Sequence, residues 1–190
     1  MNQFDYKSLN SENMVGLENS LHNSRFMNAT LQIMFLLPEV CAMSLSSQLS
    51  EYHHRKRTVW CELGFLTQNI ITIQDCSNKY PLIPRIALPV NFERTFKLIP
   101  EAVALNLFDL KDVTGSGGGK DSKGMSSAAI QNRIQTFSKF LLQHLQQEED
   151  AEMKDNRAKG VIDNVFGFTV TTKKTYVHSD TQEVTTGTRL

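Results

Sequence analysis

An α+β fold is predicted for this 190-residue sequence from the order of its periodicities. Apolar residues recur at helical spacing through most of the chain, and alternation of the strand type begins only past Gly167. Helical segments followed by strands is the α+β order. Apolar residues make up 40% of the chain and charged residues 21%, ordinary globular values that set it apart from disordered and membrane chains.

The elements follow in order. Residues 1–15 read as an extended lead-in, and Gly16 to Ser24, rich in Gly, Asn and Ser, as a loop. Asn23 or Ser24 suits a helix N-cap. Phe26 to Leu37 (FMNATLQIMFLL) then gives a helix. Met27, Leu31 and Met34 form one stripe and Phe26, Ile33 and Phe35 fill the other side, so burial all round is expected. Pro38 permits a break before a weaker helix, Val40 to Leu49. The basic run His53 to Arg57 reads as a solvated loop, the sharper alternative being a site for an acidic partner. Trp60, Leu63, Leu66, Ile70 and Ile73 recur at helical spacing. Residues 77–90 hold three prolines and read as an irregular connection. Asn91 to Leu98 suggests another helix. Pro100 suits the first position of the next, with Ala102, Leu105 and Phe108 apolar.

Thr114 to Ser127 is a Gly- and Ser-rich insert. It lacks the G-x4-G-K-[ST] spacing of a phosphate loop, and no apolar strand precedes it. Ile130, Ile134, Phe137, Leu141 and Leu145 then mark the longest helix, through Gln147. The charged stretch Glu148 to Lys159 reads as a second surface loop. Val161 to Phe166 fits a short helical turn. Phe168, Val170 and Thr172 alternate as a strand that Tyr176 and Val177 continue, and Ser179 to Gln182 turns toward a return strand at Val184 to Thr186. One domain is therefore expected over 16–190, with inserts at about 114–127 and 148–160.

Composition bounds the function. Twenty Lys and Arg balance twenty Asp and Glu, which argues against holding a polyphosphate backbone by electrostatics alone. The segment Met1 to Glu12 is polar, unlike a secretory leader, and no run of about 18 apolar residues suggests a membrane span. Cys41, Cys61 and Cys76 are odd in number and show no metal-ligand spacing, which favours reduced thiols in the cytosol or nucleus. Cys61 on a helix face reads as a small apolar residue, and Trp60 as core or interface.

Gly16 to Gln32 (GLENSLHNSRFMNATLQ) is the most informative segment. It resembles the cysteine box of ubiquitin-specific proteases, roughly G-L-x-N-x-G-N-T-C-[YF]-M-N-[SA]-x-L-Q. In such a box a cysteine at a helix N-terminus ionises readily in the field of the helix dipole. An Asn and backbone amides of the preceding loop can stabilise an oxyanion, and a later His completes the nucleophile–base pair. Matching Phe26-Met27-Asn28-Ala29 to the box puts Arg25 at the nucleophile position. A guanidinium stays protonated and offers only donors, so it cannot attack a carbonyl. The segment has one residue more than the box, but residues 16–40 contain no cysteine under any shift. Asn19, Asn23, Ser24 and Asn28 are the remnants of the box. Cys41 lies beyond the helix, at the wrong end of its dipole. No histidine stands in a G-H-Y-like context; His144 falls in the long helix and His178 in the hairpin. Where the family often carries a zinc-binding C-x-x-C after its F-x-G segment, Thr175-Tyr176-Val177-His178 keeps the spacing without a thiolate, so no metal is expected.

A closer resemblance rests on Cys61-Glu62-Leu63-Gly64-Phe65-Leu66, Asn91-Phe92-Glu93-Arg94-Thr95-Phe96 and Ile99-Pro100-Glu101-Ala102-Val103-Ala104-Leu105, taken with the box. These strings resemble the central domain of the catalytic subunit of the poly(A)-nuclease (PAN) deadenylation complex over about residues 14–186. The resemblance implies the N-terminal helical part, plus the start of the β part, of a papain-like, ubiquitin-specific-protease fold, truncated here. It implies a pseudo-hydrolase with no catalytic residue and no cofactor, acting as a scaffold in mRNA poly(A)-tail shortening. The partners it implies are the regulatory pseudokinase-like subunit, the complex's own propeller and 3′–5′ exonuclease domains and, indirectly, poly(A)-binding protein. Neither RNA nor membrane is expected to bind directly, and the implied location is the cytoplasm, including P-bodies. No acidic pair matches the D-x-E start of the exonuclease motif. The other readings are a working deubiquitinase and a pseudo-protease that binds ubiquitin without cleaving it.

Overall fold

The computed structural model describes residues 14–19, 25–80, 82, 84–105, 107, 127–152, 160–175 and 182–189. The chain divides into two compact units, Met1–Ser138 and Lys139–Leu190.

The first unit opens with strand β1 (Gly16–Leu17), paired in parallel with β2 (Ile86–Ala87). The Gly16 N–H donates to Arg85 O at 2.8 Å and the Glu18 N–H to Ala87 O at 2.9 Å. The loop reading of Gly16 onward and the irregular reading of 77–90 are corrected here. Two-residue strands are too short to leave an alternating signal.

Helix α1 (Arg25–Met34) follows. Met27, Leu31 and Met34 are buried as expected, but Ile33 is 62% exposed and Leu36, in the turn beyond, 60%. Ile33 stands one residue, hence about 100°, around the helix from Met34. Burial all round is thus corrected to burial of one face. Phe35 to Leu37 turn the chain by 96° into α2 (Pro38–Leu49), with Pro38 at a position that needs no N–H donor.

The basic run is also corrected. Glu51–Lys56 forms a short helix, α3. Arg57 ends it in the left-handed region at φ 50°, and the Thr58 N–H returns to His53 O at 3.3 Å, a Schellman closure with arginine where glycine is usual. His53 is fully buried and its Nδ1 lies 2.8 Å from Thr58 Oγ1. Arg55 stays exposed and pairs with Glu51.

Thr58 Oγ1 accepts the Cys61 N–H at 3.2 Å, which starts α4 (Val59–Lys79). Val59, Trp60, Cys61, Leu63 and Leu66 are core, so Trp60 resolves to core. Gly64 faces α2, where an added Cβ would meet Ser44 and Gln48. One turn on, Ser44 Oγ and Thr67 Oγ1 share a hydrogen bond of 3.0 Å. Helix α5 (Val90–Lys97) contributes Phe92 and Phe96, and α6 (Pro100–Ala104) starts on Pro100 and buries Ala102, as its spacing suggests. Leu105 is half exposed, and Phe108 lies outside the described residues. Phe137 joins Phe96 and Phe26, with ring centroids 5.3 Å apart in both pairs.

Helix α7 (Ser127–Glu152) extends five residues beyond its expected end. Leu141 and Leu145 are buried, and so is Glu149, whose carboxylate accepts the N–H groups of Val161 and Ile162. Residues 148–152 are therefore helix rather than loop. Helix α8 (Val161–Val165) leads through Gly167 into β3 (Phe168–Thr175), which pairs antiparallel with β4 (Gln182–Arg189), Thr171 opposite Thr186. The hairpin is exposed on both faces, at Thr169 and Thr171 as at Thr172 and Thr185. Of the inserts expected at 114–127 and 148–160 and the turn expected at 179–182, residues 114–126, 153–159 and 179–181 lie outside the described residues. Among the described residues no single helix is long and apolar enough to cross a membrane.

Candidate functional site

Arg25, the residue at the nucleophile position, is the first described residue of helix α1, at the N-terminal end where the dipole would activate a thiol. Asn23 and Ser24 lie outside the described residues, as does the Arg25 side chain.

Asn28 is 8% exposed, and its Nδ2 donates to Glu18 O at 3.0 Å and Leu17 O at 3.4 Å. Two carbonyl acceptors fix the orientation of the amide, because a flipped Oδ1 would face oxygens. Among the described residues Oδ1, thereby turned into the interior, has no hydrogen-bond partner, and the buried Oδ1 of Asn19 has none either. An oxyanion needs N–H donors. The box would draw them from the loop before the nucleophile position; Asn28 lies past that position, and its own donors are committed to the backbone of the entering strand. Gln32, one turn further along the same face, donates from Nε2 to Val15 O at 2.9 Å. The two amides together pin residues 15–18 against α1, which lets β1 pair with β2. Sequence reasoning singled out Asn28 but gave Gln32 no role. The available signal was an amide pair spaced i, i+4 on an otherwise apolar helix.

Cys41, the first thiol after the box, sits half-buried in the first turn of α2, beyond α1 and within the helix expected from Val40 to Leu49. Its Sγ donates to Phe35 O at 3.2 Å, and burial raises the thiol above its ordinary value. A protonated, hydrogen-bonded thiol is a poor nucleophile. His53 is held against Thr58, and His144 lies 3.3 Å from Glu148 and stacks on Phe140. His178 lies outside the described residues. Among the described residues no three His, Cys, Asp or Glu side chains come together in a way that could hold a metal ion. Thr175 ends β3, and the rest of the degenerate C-x-x-C position is outside the described residues.

The family model for ubiquitin carboxyl-terminal hydrolases matches residues 15–190. This chain belongs to the ubiquitin carboxyl-terminal hydrolase family. Among curated proteins, the PAN2-PAN3 deadenylation complex catalytic subunit PAN2 of Gallus gallus is 27% identical over 169 residues, covering 88% of this chain and 12% of that one. Its Homo sapiens counterpart is 28% identical over 148 residues, covering 78% of this chain and 10% of the relative. The chain thus spans about a tenth of the length of these relatives. A solved structure of the Saccharomyces cerevisiae apo Pan2 pseudoubiquitin hydrolase–RNA exonuclease module, in complex with AAGGAA RNA, superposes with a TM-score of 0.59 at 21% identity, over 98% of this chain and 27% of that one. That likeness establishes the fold as the α+β ubiquitin-hydrolase type. The resemblance to the PAN2 ubiquitin-hydrolase-like domain, first carried by short strings, holds over most of this family member.

Proposed function

We propose that this chain is a non-catalytic scaffold and interaction domain of a poly(A)-specific deadenylase complex. The observation that carries the proposal is the box helix itself. It carries Arg25 at the nucleophile position, residues 16–40 hold no thiol, and the Asn28 amide is tied to the entering strand. The box is thus kept as a structural clamp after loss of its nucleophile. The relatives' membership of the PAN2-PAN3 complex supports the biological setting. In that setting the partners are the regulatory subunit of pseudokinase type, the propeller and exonuclease domains and, indirectly, poly(A)-binding protein. The domain acts in the cytoplasm without a cofactor and leaves RNA to the nuclease.

Four measurements test this reading. A ubiquitin vinyl-sulfone probe should label no residue, and any covalent adduct overturns it. Ubiquitin added to millimolar concentration should shift no amide resonance; specific shifts would favour a ubiquitin-binding pseudo-protease instead. Affinity capture of the tagged chain from its own cells should recover deadenylase subunits, whereas AAGGAA RNA should not bind the isolated chain.

A further inference from the structure

The hairpin pairs β3 with β4 residue for residue over their whole length, without a bulge. Among the described residues no third strand adjoins it, so each strand keeps one outer edge. Thr169 and Thr171 are exposed on one face, Thr172 and Thr185 on the other. An isolated two-stranded hairpin is only marginally stable in water and gains from further strands. The two edges differ in what they invite. β3 carries Lys173 and Lys174, and lysine on an edge keeps other strands away. β4 (QEVTTGTR) has no lysine and no proline, and it holds one acidic and one basic residue toward opposite ends.

We propose that the β4 edge is a docking surface for a second copy of this chain, which adds its own β4 antiparallel, centred on Thr186, to make the sheet β3–β4–β4–β3. The register follows from two conditions. Only alternate residues of β4 turn their backbone groups toward the outer edge, so a two-fold pairing has to oppose residues of equal parity. Of the registers that do so, only the one with Thr186 on the two-fold axis sets unlike charges opposite each other. There Glu183 of each copy falls opposite Arg189 of the other, Val184 opposite Thr188, and Thr185 opposite Gly187. The match is made twice, once on each side of the axis. Laid on itself, β3 brings only lysines together as charged residues, so its edge closes the assembly at two copies. Backbone hydrogen bonds supply the attraction and the Glu183–Arg189 pairs choose the register. This surface uses the hairpin alone and is independent of the scaffold role proposed above.

Sedimentation equilibrium of the 190-residue chain over a concentration series should show a reversible monomer–dimer equilibrium. Arg189→Glu and Glu183→Arg each place like charges opposite one another twice, and each should weaken self-association roughly ten-fold. Mixed in equal amounts, the two variants regain both unlike pairs and should associate with each other as well as the wild type does with itself. Thr186→Cys reads the register directly, because opposed residues of antiparallel strands lie about 4.5–5.5 Å apart between Cα atoms, within the reach of a disulfide. Under mild oxidation the introduced thiols should join two chains, and those of Thr171→Cys on β3 should not. A wild-type chain that stays monomeric throughout the series, a mixture no more associated than either variant alone, or a Thr171→Cys cross-link as fast as that of Thr186→Cys would each overturn the proposal. Should a charge variant fail to fold, the wild-type sedimentation and the two cysteine variants decide.

Discussion

On helix propensity alone, Gly64→Ala should stabilise the protein by about 1 kcal/mol, since alanine outranks glycine inside a helix. The packing of α4 on α2 reverses the sign. An alanine Cβ at position 64 would run into the carbonyl oxygen of Ser44, lie 2.8 Å from Gln48 Cβ and 3.1 Å from the Ser44 carbonyl carbon. The obstacle is largely backbone, which no rotamer change relieves, so the two helices have to part. Overpacking of this kind costs about 1–3 kcal/mol. Separation also stretches the Ser44–Thr67 hydrogen bond of 3.0 Å, worth about 1 kcal/mol. Set against the propensity gain, the net loss is about 2 kcal/mol. Trp60 is the one tryptophan of the chain and lies buried on the same helix, one turn before Gly64, so its fluorescence during urea unfolding reports the change directly. Gly187→Ala supplies the control. An added Cβ there meets nothing within 4 Å, so stability should move by less than about 0.5 kcal/mol. A Gly64→Ala protein as stable as the wild type would refute the reasoning.

Asn28→Ala and Gln32→Ala should each cost about 1–2 kcal/mol and speed amide exchange at Gly16 and Glu18 while leaving α4 protected; unchanged exchange at those two amides would deny the clamp. Arg57→Gly should raise stability by about 1 kcal/mol in thermal unfolding, because it relieves the left-handed backbone at the end of α3. Arg25→Cys should leave hydrolysis of ubiquitin C-terminal amides at background, because a thiol alone does not supply the base: no histidine of the sequence stands in a G-H-Y-like context. Measurable turnover by that single variant would show that a base and oxyanion donors are still in place.

Apolar spacing made α1, α4, α5 and most of α7 legible, and Pro100 marked the start of α6. What escaped depends on partners distant in sequence. The strands β1 and β2 exist only because each finds the other, and neither is long enough to show a period. His53 lies in a run that reads as solvated, and it is buried because Thr58, beyond a left-handed Arg57, folds back to meet it. Glu149 reads as surface charge, yet two amides at the head of α8 draw it inside. At the site the loss of the nucleophile was readable residue by residue. The use of Asn28 and Gln32 as a strand clamp was not, since it depends on where the backbone carbonyls of residues 15–18 point.

The parallel pairing of Gly16 with Ile86 joins residues some 70 positions apart, with four helices between them. Closing so long a loop carries an entropic cost that short two-residue strands recover only after α1, α2 and α4 have docked. The Asn28 and Gln32 bonds span 10 to 17 positions and can form far sooner. A ribosome adding about 5–20 residues each second would leave β1 without its neighbour for several seconds after α1 has formed. Throughout that interval those two amides would be the early tether holding the start of the chain in place for β2 to meet.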